Sequence, residues 1–191
     1  MEVLEFKYVT TDDISDNDVF NDGHAWSRCY EYPIVIDCMK NLLTEESFVH
    51  NSSWGFAGIH VTFKEELDRL YKNIMHSDLK PSNLENTETY NILKAPPQEW
   101  IEKFDCVLNI STLEEVGGNH TEIFDNLYSQ VKSGGYFICT FDYPGLQLEE
   151  IERKLGQKIK LDGTPINGAN SIVKNLRYPH LNCGLMVIRK K

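Results

Sequence analysis

Two nearly continuous apolar runs, Phe104–Ile110 and Tyr136–Phe141, flank a polar loop, an amphipathic stretch and a Gly-Gly turn. Runs of this kind, rich in Val, Ile, Phe and Cys, predict strands covered by helices on both faces. The stretch between them predicts a helix of about a dozen residues. Upstream, the pattern alternates in type. Ser47–Ser52 reads as a short strand, Trp54–Gly58 as a glycine-bearing turn, and Val61–Tyr71 as a helix with Phe63, Leu67, Leu70 and Tyr71 on one side. Asn73–Ser77 and Thr89–Leu93 follow as strands, with Pro97–Lys103 as a short helix. Near the N-terminus, Ile34, Ile36, Met39, Leu42 and Leu43 recur at helical spacing, with Pro33 compatible with the first turn. Leu148–Leu155 predicts a helix and Gly184–Arg189 a last strand.

Alternating strands and helices imply right-handed crossovers and an α/β fold. The expected architecture is a doubly wound, mostly parallel sheet with helices on both faces and an antiparallel C-terminal edge strand. One domain is expected over 1–191. It divides into an N-terminal substrate or lid segment (1–44), a cofactor-binding core (45–143), and a C-terminal strand with a substrate loop (144–191). The Asp- and Asn-rich stretch 11–23 reads as a loop, and the Gly/Asn/Pro-rich stretch 161–180 as a cap over the same sheet edge.

Composition narrows the function classes. A net charge of −10 disfavours tight binding to a nucleic-acid backbone, which needs a basic face. No apolar run approaches the roughly 20 residues that cross a bilayer, and the acidic start lacks a signal-peptide pattern, so a cytoplasmic protein is expected. The 5 cysteines are scattered and never spaced as CxxC, which reads as buried thiols rather than a metal site or disulfides.

In parallel sheets ligands bind at the carboxyl ends of the strands. There the chain puts Asn109, Ser111, Glu114 and Glu115 after one strand, and Thr140, Asp142 and Tyr143 after the next. Asp78 ends an earlier strand, 23 positions after Gly55 in the turn Ser52-Ser53-Trp54-Gly55. A strand, a glycine turn and a distal carboxylate are the parts of an adenosine-cofactor site, although the turn is not a GxGxxG. A nucleotide-dependent oxidoreductase is the weakest reading for that reason. Glu115, Asp142 and His120 are the candidate general bases at the same edge. Arg28 and Glu31, in SRCYEYP, are the candidate substrate contacts, with Tyr143 beside them; an ion pair on a helix is the competing reading of the first two.

The segments FDCVLNISTLEEVG and VKSGGYFICTFDYP resemble the fourth-strand motif and the GG turn with fifth strand of class I S-adenosylmethionine-dependent methyltransferases. The resemblance spans about residues 45–143. It implies a Rossmann-like fold, S-adenosylmethionine as cofactor, and methyl transfer to a hydroxyl of a small or glycan acceptor. It assigns cofactor contacts to Asn51, Ser52, Ser53, Trp54 and Gly55, to Asp78 and Leu79, to Asn91 and Ile92, and to Asn109 and Ser111. No metal is implied. The chain departs from the family at its first turn, where His50-Asn51-Ser52-Ser53-Trp54-Gly55 stands in place of an acid and several glycines. That departure favours the alternative of a non-catalytic binding module in a glycan-synthesis assembly.

Overall fold

The computed structural model describes residues 1–10, 13, 27–54, 61–167 and 180–191. Gly55, the rest of the Trp54–Gly58 turn, most of the 11–23 segment and most of the loop at 161–180 lie outside the described residues.

Seven strands form one sheet. In chain order they are β1 (Glu2–Tyr8), β2 (Phe48–Ser52), β3 (Asn73–Asp78), β4 (Thr87–Thr89), β5 (Phe104–Ile110), β6 (Val131–Asp142) and β9 (Cys183–Arg189), and in space β1-β9-β6-β5-β2-β3-β4. From β2 to β6 all neighbours are parallel. β9 runs antiparallel to β6 on one side and to β1 on the other. The antiparallel C-terminal strand is therefore present, but β1 lies outside it and forms the true edge. A two-residue pair, β7 (Ile166–Asn167) with β8 (His180–Leu181), stands apart. The chain leaves the centre toward β4, then returns through β5 to the other side. The carboxyl ends of β2 and β5 are thus a topological switch point.

Among the described residues four helices cover the sheet: α1 (Arg28–Leu42), α2 (Val61–Leu70), α3 (His120–Tyr128) and α4 (Leu148–Leu155). Alternate strand residues divide between two cores. Cys106, Leu108 and Ile110 pack with α1 and α2 through Ile34, Val35, Met39, Phe63 and Leu67. Val107, Phe137, Cys139 and Phe141 pack with α3 and α4 through Ile123, Phe124, Leu127 and Ile151. Burial on both faces is why these strands read as unbroken apolar runs.

Several boundaries differ from expectation for local reasons. α1 begins at Arg28 and holds Pro33 in its interior rather than in its first turn. β4 ends at Thr89, and Asn91 then closes a turn on Leu93 and Lys94, so Asn91 and Ile92 follow the strand instead of forming it. Pro97–Lys103 is only a 3-10 turn at Gln98–Trp100. The Gly-Gly turn lies within β6, whose pairing jumps from Phe104↔Val131 to Cys106↔Tyr136, with Gly134 at φ +79. β1 (EVLEFKY) mixes apolar and charged residues, and most of its side chains are at least partly exposed.

Gly184 faces Phe141 across the β6–β9 pair. A Cβ there would lie 2.5 Å from the Phe141 ring, which is wholly buried and has nowhere to move. Gly184→Ala is expected to cost about 1–3 kcal/mol, the usual range for overpacking. A Tm within a degree of the unmodified protein would contradict this packing.

Candidate functional site

The carboxyl ends of the central strands align, with Ser52 opposite both Ser77 and Asn109, and Ile110 opposite Thr140. Around this line the polar side chains form connected networks. The Ser52 hydroxyl donates to the Leu108 carbonyl at 2.8 Å and accepts from the Asn109 amide at 3.0 Å. Asn109 also accepts from the Leu113 N–H at 3.0 Å, which fixes the start of the β5–α3 loop. Both residues are buried, so they hold the edge in shape. Ser53 takes a left-handed conformation (φ 61) and donates its N–H to the Ser77 carbonyl at 2.6 Å. That turn swings Trp54 under the edge.

Trp54 is only 7% exposed, and its buried indole N–H has no partner among the described residues. A buried donor left unpaired costs about 1–3 kcal/mol. It lines a narrow cavity of about 20 Å3 with Arg28, Tyr32, Asn51, Ser52, Ser53, Phe63 and Ile110. That is room for about one water molecule. Tyr32 and Phe63 stack with ring centres 3.9 Å apart along its wall. Asp78 ends β3 two strands from β5, buried, and accepts from the Lys80 N–H at 3.0 Å. Leu79 beside it is 60% exposed, an apolar surface next to a carboxylate. The Asn91 side-chain oxygen is engaged by the Leu93 N–H, and the Ile92 carbonyl by the Asn126 amide.

α1 enters the edge through its first turn. Arg28 pairs with Glu31 and also reaches the Ser111 carbonyl at 3.3 Å. Glu31 is 0% exposed; it accepts from the Thr140 hydroxyl at 2.6 Å and from the Ser111 hydroxyl. Burial alone would raise this carboxyl, but Arg28 and the two hydroxyls outweigh it and hold it below the ordinary carboxylate range. Glu31 is therefore a buried tie between α1, β5 and β6, and cannot itself touch an acceptor molecule. Arg28 does line the cavity.

The candidate bases separate in space. Glu115 is exposed on the loop surface. His120 is buried at the start of α3, its Nδ1 accepting from the Gln147 backbone N–H at 3.0 Å while the His120 backbone N–H donates to the Gln147 side-chain oxygen at 3.1 Å. That double clamp joins α3 to the turn before α4. Asp142 stays at the edge with exposed surface, yet partial desolvation of its carboxylate and the nearby Glu31 raise it to about 6. Tyr143 is half-buried and meets Tyr8 edge-on at 6.2 Å.

One residue passed over as a base stands out. Glu114 Oε1 accepts from the Asp142 N–H at 2.7 Å, and its buried Oε2 has no partner among the described residues. Burial, helped by Glu31 and Asp142, pushes this carboxyl up to about 8. A carboxyl that titrates near neutrality is what proton transfer at that pH requires. The sequence points to Glu115, not Glu114, as the candidate base on this loop; the direction of each side chain instead turns Glu114 inward and leaves Glu115 at the surface. Among the described residues no cluster of His, Cys, Asp or Glu is disposed to hold a metal.

The fold is that of class I S-adenosylmethionine-dependent methyltransferases. Two solved structures that share it over most of both chains are the [4+2]-cyclase SpnF and a methyltransferase from Burkholderia thailandensis. SpnF is 14% identical with a TM-score of 0.59, covering 89% of this chain and 84% of that one. The second, 1,6-didemethyltoxoflavin-N1-methyltransferase with bound 1,6-didemethyltoxoflavin and S-adenosylhomocysteine, is 13% identical with a TM-score of 0.57, covering 91% and 81%. The citrinin polyketide synthase CMeT domain is 12% identical with a TM-score of 0.54, over 83% of this chain and 50% of that one. The chain spans about half the length of that protein and of two further methyltransferases it matches. Neither a family model nor a curated protein sequence matches the chain. At these identities the likeness establishes the fold alone.

Proposed function

We propose that the protein binds S-adenosylmethionine at the β2–β5 switch point and transfers its methyl group to a hydroxyl of a small acceptor. The observation that carries this reading is the unpartnered, buried Trp54 N–H in a cavity at the carboxyl ends of the strands, with Asp78 at the neighbouring strand end. When bound, this cofactor supplies a methyl group activated by a positively charged sulfur. Asp78 would hold the ribose hydroxyls, with exposed Leu79 against the adenine. Trp54 and Arg28 would hold the methionine end, Arg28 kept in line by Glu31. Asn91 and Ile92 would border the adenine through backbone or remaining lone pairs. Ser52 and Asn109 act through the shape of the edge.

An alcohol is a poor nucleophile until a base within hydrogen-bond reach takes its proton. Glu114 and Asp142 are the carboxyls suited to that role; Glu115 and His120 are not, one facing solvent and the other clamped by Gln147. A sugar hydroxyl on a glycan fits the acidic chain and the aromatic residues near Arg28, and is the acceptor we favour. Neither nucleic acid nor membrane is expected as a partner, and among the described residues no helix is long and apolar enough to cross a membrane.

Calorimetry tests the cofactor reading directly. Intact protein is expected to bind S-adenosylhomocysteine, and absence of any heat with it and with S-adenosylmethionine would remove the proposal. Asp78→Ala is expected to weaken that affinity by about 10–100-fold, the loss of one or two charge-assisted hydrogen bonds, while thermal unfolding stays cooperative. Unchanged affinity would mean that the ribose lies elsewhere.

The cavity of about 20 Å3 favours a second reading, because the cofactor enters only if the surrounding turn moves. In that version the fold serves as a non-catalytic binding module in a glycan-synthesis assembly. Cofactor binding without turnover across a panel of sugar acceptors would support it.

A further inference from the structure

The turn after β2 leans on α2 by two separate routes. In the first, Lys64 donates to one oxygen of Asp68 at 2.6 Å, and the other oxygen meets His76 Nε2 at 3.1 Å. His76 Nδ1 lies in turn 3.1 Å from the Asn51 side-chain nitrogen. In the second, the Lys64 ammonium stands 5.9 Å over the Trp54 ring, which the His76 ring meets edge-on at 5.9 Å. Lys64, His76 and Asn51 are buried, so water competes little for these contacts.

The hydrogen-bonding roles along the first route follow from Asp68. A carboxylate accepts and cannot donate, so His76 Nε2 carries the hydrogen that faces it. Burial keeps the imidazole neutral, and a neutral ring has a single N–H. Nδ1 therefore accepts, and the group of Asn51 that faces it is the amide N–H. A reversed Asn51 would set two acceptors against each other. The Asn51 carbonyl oxygen is thus left for the turn. Without Asp68 the ring would have no preferred tautomer, and Asn51 would turn either way.

Asn51 lines the cavity at the strand ends together with Trp54 and Arg28. At about 20 Å3 this cavity has room for one polar group of a ligand, not for the ligand. Arg28 keeps 17% of its side chain exposed, and its charge is met by Glu31. Trp54 and Arg28 offer hydrogen-bond donors alone. One acceptor beside two donors complements an α-amino acid group, whose ammonium donates and whose carboxylate accepts. With its amide N–H presented instead, Asn51 would add a third donor and oppose an ammonium.

We infer that Asp68 and His76 are positioning residues for the cofactor: through them α2 holds Asn51 with its carbonyl oxygen presented to the amino group of the cofactor's amino-acid end. The inference rests on the cofactor reading given above. The carboxylate that the first turn lacks stands on α2, one imidazole away from the residue it directs.

Two measurements on the intact protein test this. Proton–nitrogen NMR at neutral pH should show His76 as the Nε2–H tautomer. Calorimetry should compare S-adenosylhomocysteine with methylthioadenosine, which lacks the amino-acid end. His76→Leu frees Asn51 and should weaken S-adenosylhomocysteine about tenfold, the loss of one hydrogen bond to a charged group, with methylthioadenosine unchanged. His76→Gln can donate to Asp68 and accept from Asn51, and should restore most of that affinity. A collapsed turn would weaken both ligands alike. Equal losses, unchanged affinity or an Nδ1–H tautomer would therefore overturn the inference and leave the cofactor reading standing. Should the leucine variant fail to fold, the tautomer and the glutamine variant decide. Binding of neither ligand to the unmodified protein would overturn both.

Discussion

Replacing Glu31 with alanine is expected to destabilise the protein by about 3–5 kcal/mol, the cost of stranding one partner of a buried ion pair. Three elements lose their shared anchor at once. Arg28 keeps its charge under the sheet edge, and the hydroxyls of Ser111 and Thr140 lose a common acceptor. Chemical denaturation measures the loss. Glu31→Gln should fall between, because the amide oxygen can still accept from both hydroxyls but offers Arg28 no charge. The double variant Arg28→Met/Glu31→Leu should recover much of the stability, since an apolar pair avoids the desolvation of two ions. A double variant as unstable as Glu31→Ala would mean that the hydroxyl contacts matter more than the ion pair.

The second large effect is a loss of stability in acid that traces to two buried imidazoles. His50 lies between the Gln130 side chain (2.8 Å) and the Ser77 hydroxyl (2.7 Å), and burial lowers its pKa to about 3. His76 lies between Asn51 (3.1 Å) and Asp68 (3.1 Å), and burial lowers it to about 4 despite the carboxylate. Both depart downward from an ordinary value of 6.5. The unfolded chain therefore binds their protons before the folded one does. Their contribution is whole above pH 6.5 and is lost as pH falls from 6.5 toward 4 and 3. Each imidazole removes about 1.4 kcal/mol per pH unit within its window. Glu114 acts in the opposite sense, with its folded pKa raised from 4.5 to about 8, so stability falls as pH rises across that interval. His50→Gln isolates one imidazole. The variant should be the less stable at pH 8, and the gap should close by about 1.4 kcal/mol per pH unit below 6.5. A gap independent of pH would show that His50 titrates alike in the folded and unfolded chain.

These effects bear on function because the same residues shape the proposed site. Asn51 meets His76, and the Ser77 carbonyl holds the Ser53 turn while the Ser77 hydroxyl meets His50. The edge that would receive the cofactor is therefore built on neutral imidazoles and one paired carboxylate. Acidification through pH 5 should loosen this edge along with the fold.

The sequence by itself determined the central strands of the sheet and its last strand. β5 and α4 fall on the expected residues, and β2, β3 and β9 within one residue; for β5 and β9 the reason is that a strand buried on both faces has to be apolar along its length. The gathering of polar residues at the strand ends was also legible, since parallel strands put their carboxyl ends on one edge. The tertiary structure decided what those residues do. Glu31 and Arg28 carry no sequence mark that separates a substrate contact from a buried tie; the difference lies in Ser111 and Thr140, 80 and 109 positions away. Glu114 and Glu115 are neighbours of the same type, and the loop after β5 turns one inward and the other to solvent. Nothing in the sequence assigns β1 as a strand, and it is one through its pairing with β9. In each case burial is set by contacts between residues distant in the chain, and burial is what fixes a polar group's charge and its chemistry.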